Sequence, residues 1–174
     1  QMKRSVLQEP NLTPNFIGSW IIEPASICDS LITYYESKPG QQERGSTTSG
    51  INLKVKNSHD ISVAPKDINV PGNEIFKEYF EQLLSCYKDY IVQWPFLMKI
   101  RENLEIGRFN LQRYQTGQHF NQIHTERVSL ESDHRVLTWL TYLNDVEDGG
   151  STYFTHYDLE VRPRKGLTLI WPAE

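Results

Sequence analysis

The chain has 174 residues, of which 38% are hydrophobic, 11% aromatic and 23% charged, with a net charge of −4. That is enough for one domain with a sizeable core and too little for two. The mild acidity gives no electrostatic reason to expect a nucleic-acid partner. No apolar run approaches the roughly 20 residues of a membrane span, two cysteines are too few for a disulfide scaffold, and the polar start "QMKRSVLQEP" is no signal peptide. The expectation is a soluble, cytoplasmic protein of a reducing compartment.

In chain order, the first predicted helix lies in "PASICDSLITYYESK", where Ile27, Leu31, Tyr34 and Tyr35 recur at helical spacing and "KPG" ends the run. The next stretch, "GQQERGSTTSG", is polar and glycine-bearing and reads as a mobile loop. The second helix is stronger. "NEIFKEYFEQLLSCYKDYI" sets Ile75, Phe76, Tyr79, Phe80, Leu83, Leu84, Tyr87 and Ile91 on one broad stripe, with Asn73 as the expected N-cap. Cys28 and Cys86 fall in these two segments and read as buried small hydrophobes.

After Pro95 the pattern changes to short extended runs. "GRFNLQRY", "HRVLTWLTYLN", "STYF", "DLEVRP" and "GLTLIW" are rich in β-branched and aromatic residues and are separated by turn signals, including the Gly-Gly of "NDVEDGGS". Val136 to Leu143 is apolar on both faces, as a mid-sheet strand would be. Residues 1–174 therefore read as a single α+β domain, with a helical part over about 1–100 and a β core over about 104–174.

The candidate chemistry begins at "QHFNQIHTE". On a strand, residues i and i+2 project from one face, so His124 and Glu126 can close on one ion. Imidazole with a hard carboxylate suits Fe(II) or Mn(II), and a second histidine would complete a 2-His-1-carboxylate set. Five histidines and 22 acidic residues give about 0.6 such pairs by chance, so the pair alone is weak. His59, in a loop-like region, His134, opening a strand, and His156, in a turn, read as surface residues, and His119 faces the other way from His124.

The context of the pair is more specific. The ordered set "RYQTGQHFNQIHTE", "RVLTWLTYLND", "GGSTYF" and "LEVRPRKGLTLIWP", from Arg113 to Pro172, resembles the prolyl 4-hydroxylase-like family of Fe(II)/2-oxoglutarate oxygenases. The resemblance implies a double-stranded β-helix (jelly-roll) core with N-terminal helices, and a 2-oxoglutarate-dependent dioxygenase that hydroxylates a prolyl residue or a related substrate. It implies Fe(II) and 2-oxoglutarate as cofactors, with ascorbate as the reductant in assays. His124 and Glu126 match the metal ligands. Tyr114, Tyr142 and Thr152 match residues that reach the 2-oxoglutarate, and Arg135 matches an arginine near the substrate. The partner implied is a peptide or small-molecule substrate, with no nucleic acid and no membrane.

Three departures stand out. Glu126 replaces the usual Asp and lengthens the reach of that ligand. Phe120 to His124 is one residue longer than the common spacing, and Ser151 replaces a Glu. The family's second histidine, and a basic residue for the distal carboxylate of 2-oxoglutarate, follow the last apolar strand. They are expected beyond Glu174, along with the closing strands. The rival readings are a catalytically inactive hydroxylase-like peptide-binding module, an unrelated β-sandwich with an incidental "HTE", and, less favoured, a zinc hydrolase.

Overall fold

Both expected helices form, and their apolar spacing decides which face they bury. In the computed structural model, which describes residues 2–5, 7, 16–45, 57–96, 106–114 and 137–173, α1 spans Ser26–Glu36 and buries Ile27, Cys28, Leu31 and Tyr35. It stops at Ser37, whose hydroxyl donates to the Tyr34 carbonyl at 2.8 Å, just ahead of Pro39. The second helix, α2, spans Glu74–Gln93 and buries Phe76, Tyr79, Leu83, Cys86 and Tyr90 along one side. No helix among the described residues is long and apolar enough to cross a membrane.

The expected cap of α2 is not made. Asn73 occupies the N-cap position, but its side-chain amide donates to the Asp67 carbonyl at 2.7 Å. Glu74 serves the helix start instead. Its carboxylate accepts from the Gly72 N–H at 3.1 Å, and backbone N–H groups, its own first and then that of Gly72, hold it below the usual carboxylate range.

Among the described residues the strands are, in order, β1 Gly18–Ile21, β2 Glu43–Arg44, β3 His59–Val63, β4 Phe109–Arg113, β5 Leu137–Thr141, β6 Thr152–Phe154, β7 Leu159–Val161 and β8 Leu167–Pro172. The first three lie in the part read as helical, so that part is mixed. Among the described residues, the first sheet has the order β1-β8-β5, the second β2-β3-β4, and β6 and β7 form a separate pair, all antiparallel. The β5–β6 connection uses the expected Gly-Gly turn. Gly149 and Gly150 take φ of 82° and 71°, the left-handed region that suits glycine. Among the described residues, β5 pairs with β8 on one side, and Thr138 Oγ1 is buried there with no hydrogen-bond partner.

Both three-stranded sheets lay one face on the helices. Trp20, Ile22 and Ile170 of the first sheet region and Ile61, Val63, Phe109 and Leu111 of the second share one core with α1 and α2. Phe80 of α2 joins the sheets edge-on, with ring centroids 4.9 Å from Phe109 and 5.9 Å from Trp139. A second core lies on the other face of the first sheet. There Leu167 and Leu169 pack with Leu159 and Val161 of β7, and Leu140, Tyr142, Phe154 and Trp171 pack around them. Alternation along β5 explains the division: Leu137 and Trp139 face the helices, whereas Leu140 and Tyr142 face the β6–β7 pair.

Candidate functional site

The second core brings together two of the residues singled out in the sequence. Tyr142 follows directly on β5, and its backbone is tied to the turn before β8. Its N–H donates to the Leu167 carbonyl at 2.9 Å, and its carbonyl accepts from the Gly166 N–H at 2.8 Å. The side chain turns away from the helices, and its hydroxyl meets the Thr152 hydroxyl, while donating at longer range, 3.3 Å, to the Val161 carbonyl. Thr152 opens β6 opposite Val161, which fixes its side of the pair. Burial pushes the Tyr142 phenol up, so it is a neutral hydrogen-bond donor at neutral pH. Two half-buried hydroxyls side by side can present O–H groups to an anionic oxygen.

Tyr114 stands just beyond β4 on the second sheet. Phe109 and Leu111 point to the helical core, whereas Gln112 and Tyr114 lie on the opposite face. Tyr114 is 42% exposed, and its hydroxyl donates to Gln112 Oε1 at 3.5 Å. Burial of the phenol, and then the nearby Asp60 carboxylate, raise its pKa.

Asp60 was not anticipated from the sequence. It is 9% exposed on β3, accepts from the Ser58 hydroxyl at 2.7 Å and from Gln112 Nε2 at 3.3 Å, and pairs with Gln112 across the ladder. Its signal was available in "HDISV", where polar Asp60 and Ser62 alternate with apolar Ile61 and Val63. His59, read as a loop residue, is in β3, and its carbonyl accepts from the Tyr35 hydroxyl at 2.9 Å. His156 is exposed in a short turn, as expected. His124, Glu126 and Arg135 lie outside the described residues, as do His119 and His134. Among the described residues, no group of three or more His, Cys, Asp or Glu could hold a metal.

The cysteines are buried and free, as the sequence suggested. Burial pushes the Cys86 thiol up to about 12 and also raises Cys28, against the opposing pull of Lys165. Neither is activated as a nucleophile.

No family model matches the chain. It is 34% identical over 82 residues to "Probable prolyl 4-hydroxylase 9" of Arabidopsis thaliana, an alignment covering 36% of this chain and 28% of that one. It is 35% identical over 92 residues to "Probable prolyl 4-hydroxylase 4" of the same plant, covering 51% and 29% respectively. Against the human prolyl 4-hydroxylase subunit alpha-1 it is 40% identical over 42 residues, covering 24% and 8%. The fold is similar to the crystal structure of a Pseudomonas putida prolyl-4-hydroxylase, with a TM-score of 0.70 at 17% identity, over 91% of this chain and 81% of that one. The chain resembles prolyl 4-hydroxylases in sequence over part of its length, and one of them in fold.

This chain spans less than a third of the length of the plant prolyl 4-hydroxylases it matches. The likeness to the Pseudomonas prolyl-4-hydroxylase carries the mixed fold of helices and antiparallel sheets. Within that fold, the hydroxyls of Tyr142 and Thr152 meet directly, and Tyr114 lies just beyond β4 on the other sheet.

Proposed function

We propose that this chain forms the core of an Fe(II)- and 2-oxoglutarate-dependent dioxygenase that hydroxylates a prolyl residue or a related substrate, on a double-stranded β-helix. The observation that carries the reading is the hydroxyl pair of Tyr142 and Thr152 on the sheet face turned away from the helices, in a chain related to prolyl 4-hydroxylases. A 2-oxoglutarate carboxylate is acceptor-only, and neutral O–H donors held side by side suit it. Tyr114, partly exposed on the second sheet, supplies a further O–H.

The donor types also suit the metal. His124 and Glu126 would hold the iron, a hard ion served by imidazole and carboxylate. When bound, iron with 2-oxoglutarate supplies the oxygen activation that hydroxylation needs. The chain's own tasks are to bind and orient: the tyrosines and Thr152 fix the cosubstrate, and Arg135 would contact the substrate.

The test is succinate formation from 2-oxoglutarate by the full-length protein with Fe(II) and ascorbate, followed by NMR for wild type and His124→Ala. Succinate from wild type alone is the expected result. A wild-type protein that makes none, yet binds proline-containing peptides, would replace this reading with that of a binding module.

A further inference from the structure

The helical core holds one polar chain that the packing alone does not require. Tyr79, on α2, is almost fully buried among apolar side chains, yet its hydroxyl lies 2.6 Å from Thr141 Oγ1. Thr141 Oγ1 lies in turn 2.8 Å from Thr168 Oγ1, on the neighbouring strand β8, where Thr141 and Thr168 are register partners. Thr168, fully buried, donates onward to the Gly166 carbonyl at 3.3 Å. The same Gly166 gives its N–H to the carbonyl of Tyr142, the residue after Thr141. The links close a loop around the backbone of Tyr142: one side runs through Thr141 to α2, the other through Gly166 to β8.

We infer that Tyr79 is a positioning residue: through the Thr141–Thr168–Gly166 links it fixes the end of β5 so that the Tyr142 phenol and the Thr152 hydroxyl stay aligned for the 2-oxoglutarate carboxylate. This rests on the oxygenase reading above. A buried hydroxyl network adds little net stability over an apolar replacement, but when fully satisfied it selects one arrangement. Thr141 and Tyr142 point to opposite faces of the sheet, so Tyr79 touches no ligand and acts only through the strand. Burial raises the Tyr79 phenol well above its ordinary range, which keeps it a neutral partner for Thr141.

Tyr90 provides the control. It is also fully buried on α2, and its hydroxyl donates to the Phe16 carbonyl at 2.9 Å, away from β5. In the full-length protein, Tyr79→Phe and Tyr90→Phe are compared for thermal stability, for kcat and for the cosubstrate KM, with 2-oxoglutarate as the varied reactant. Both variants are expected to lose some stability. Only Tyr79→Phe is expected to raise the KM, by about 3- to 10-fold with kcat within about twofold, the pattern of lost cosubstrate binding. Thr141→Val, which cuts the chain at its middle while preserving shape, is expected to behave like Tyr79→Phe and serves should that variant fold poorly. A KM unchanged in both Tyr79→Phe and Thr141→Val, or raised equally in Tyr90→Phe, overturns the role of Tyr79. A wild type that does not turn over 2-oxoglutarate overturns the oxygenase reading itself, and the two failures are told apart by the wild-type assay.

Discussion

The hydroxyls of Tyr142 and Thr152 are hydrogen-bonded to one another, although ten residues and a Gly-Gly turn separate them. The contact exists because Tyr142, directly after β5, faces β6, and Thr152 is the first residue of that strand. Neither group carries charge, so either can turn its proton to an arriving carboxylate. Tyr142→Phe is expected to cost about 1 kcal/mol of stability, because a half-buried Thr152 hydroxyl loses its partner. It is also expected to raise the cosubstrate KM by about 10-fold, the worth of one hydrogen bond to a charged group. Urea denaturation and steady-state kinetics check the two figures separately. A cosubstrate KM unchanged in both Tyr142→Phe and Thr152→Val would remove the pair from the site.

Gly18 and Trp20 set a different limit. Trp20 is fully buried, and its ring lies over Gly18 on the same face of β1. A Cβ added at Gly18 would stand 2.2 Å from Trp20 Cη2 and 2.9 Å from Cζ3, so the indole would have to leave its place in the core. Gly18→Ala is expected to destabilise by about 3 kcal/mol through overpacking. Gly40→Ala, where an added Cβ meets nothing within 4 Å, is the comparison and is expected to be close to neutral. Equal midpoints in urea for the two variants would show that the ring is not held there.

These two cases show where the sequence was legible. Both helices and strands β4 to β8 could be read because long apolar stripes and β-branched runs between turn residues carry their own period. The strands β1 to β3 could not. Of these, β2 is only the polar pair Glu43–Arg44, and β3 presents only Ile61 and Val63 as apolar markers among polar neighbours. The site divides in the same way. Tyr142 and Thr152 could be named from ordered motifs, but their direct contact depends on a strand pairing that no local pattern states. The alternation in "HDISV" marks a strand, but the burial of Asp60 and its bond to Gln112 come from the β3–β4 ladder, which no local pattern states.

Asp89 on α2 binds the N-terminal segment to the core, which makes part of the stability pH-dependent. It accepts two hydrogen bonds from Arg4, at 2.7 and 2.8 Å, one from Trp20 Nε1 at 2.9 Å and one from Gln93 Nε2 at 3.0 Å. The Arg4 hydrogen bond is the largest influence, ahead of those from Trp20 and Gln93, in lowering the carboxyl to about 2. A carboxyl depressed in the folded state contributes stability above its unfolded pKa, near 4, and loses it as pH falls through about 2. Arg4 is half exposed, so water and salt screen the pair. Asp89→Asn is therefore expected to lower stability at pH 7 by about 1 kcal/mol. The gap to wild type should stay constant down to about pH 5 and close between pH 4 and 2. Thermal melts across that range measure it, and a gap that persists at pH 2 would mean the carboxylate charge is not what the cluster uses.

Asp60 separates charge from hydrogen bonding on the other sheet. The Ser58 residue is 1% exposed and donates to Asp60 Oδ1, so Asp60→Ala strands a buried hydroxyl and is expected to cost about 2 kcal/mol. Asp60→Asn keeps an acceptor for Ser58 but sets an NH₂ group against Gln112 Nε2. Gln112 is exposed and can turn its amide over to offer Oε1 instead, which repairs the ladder contact at the expense of its bond to Tyr114. The expected order of stability in urea is wild type, then Asp60→Asn, then Asp60→Ala. Equal losses in the two variants would show that the negative charge itself, rather than the hydrogen bonds to Ser58 and Gln112, holds this part of the sheet.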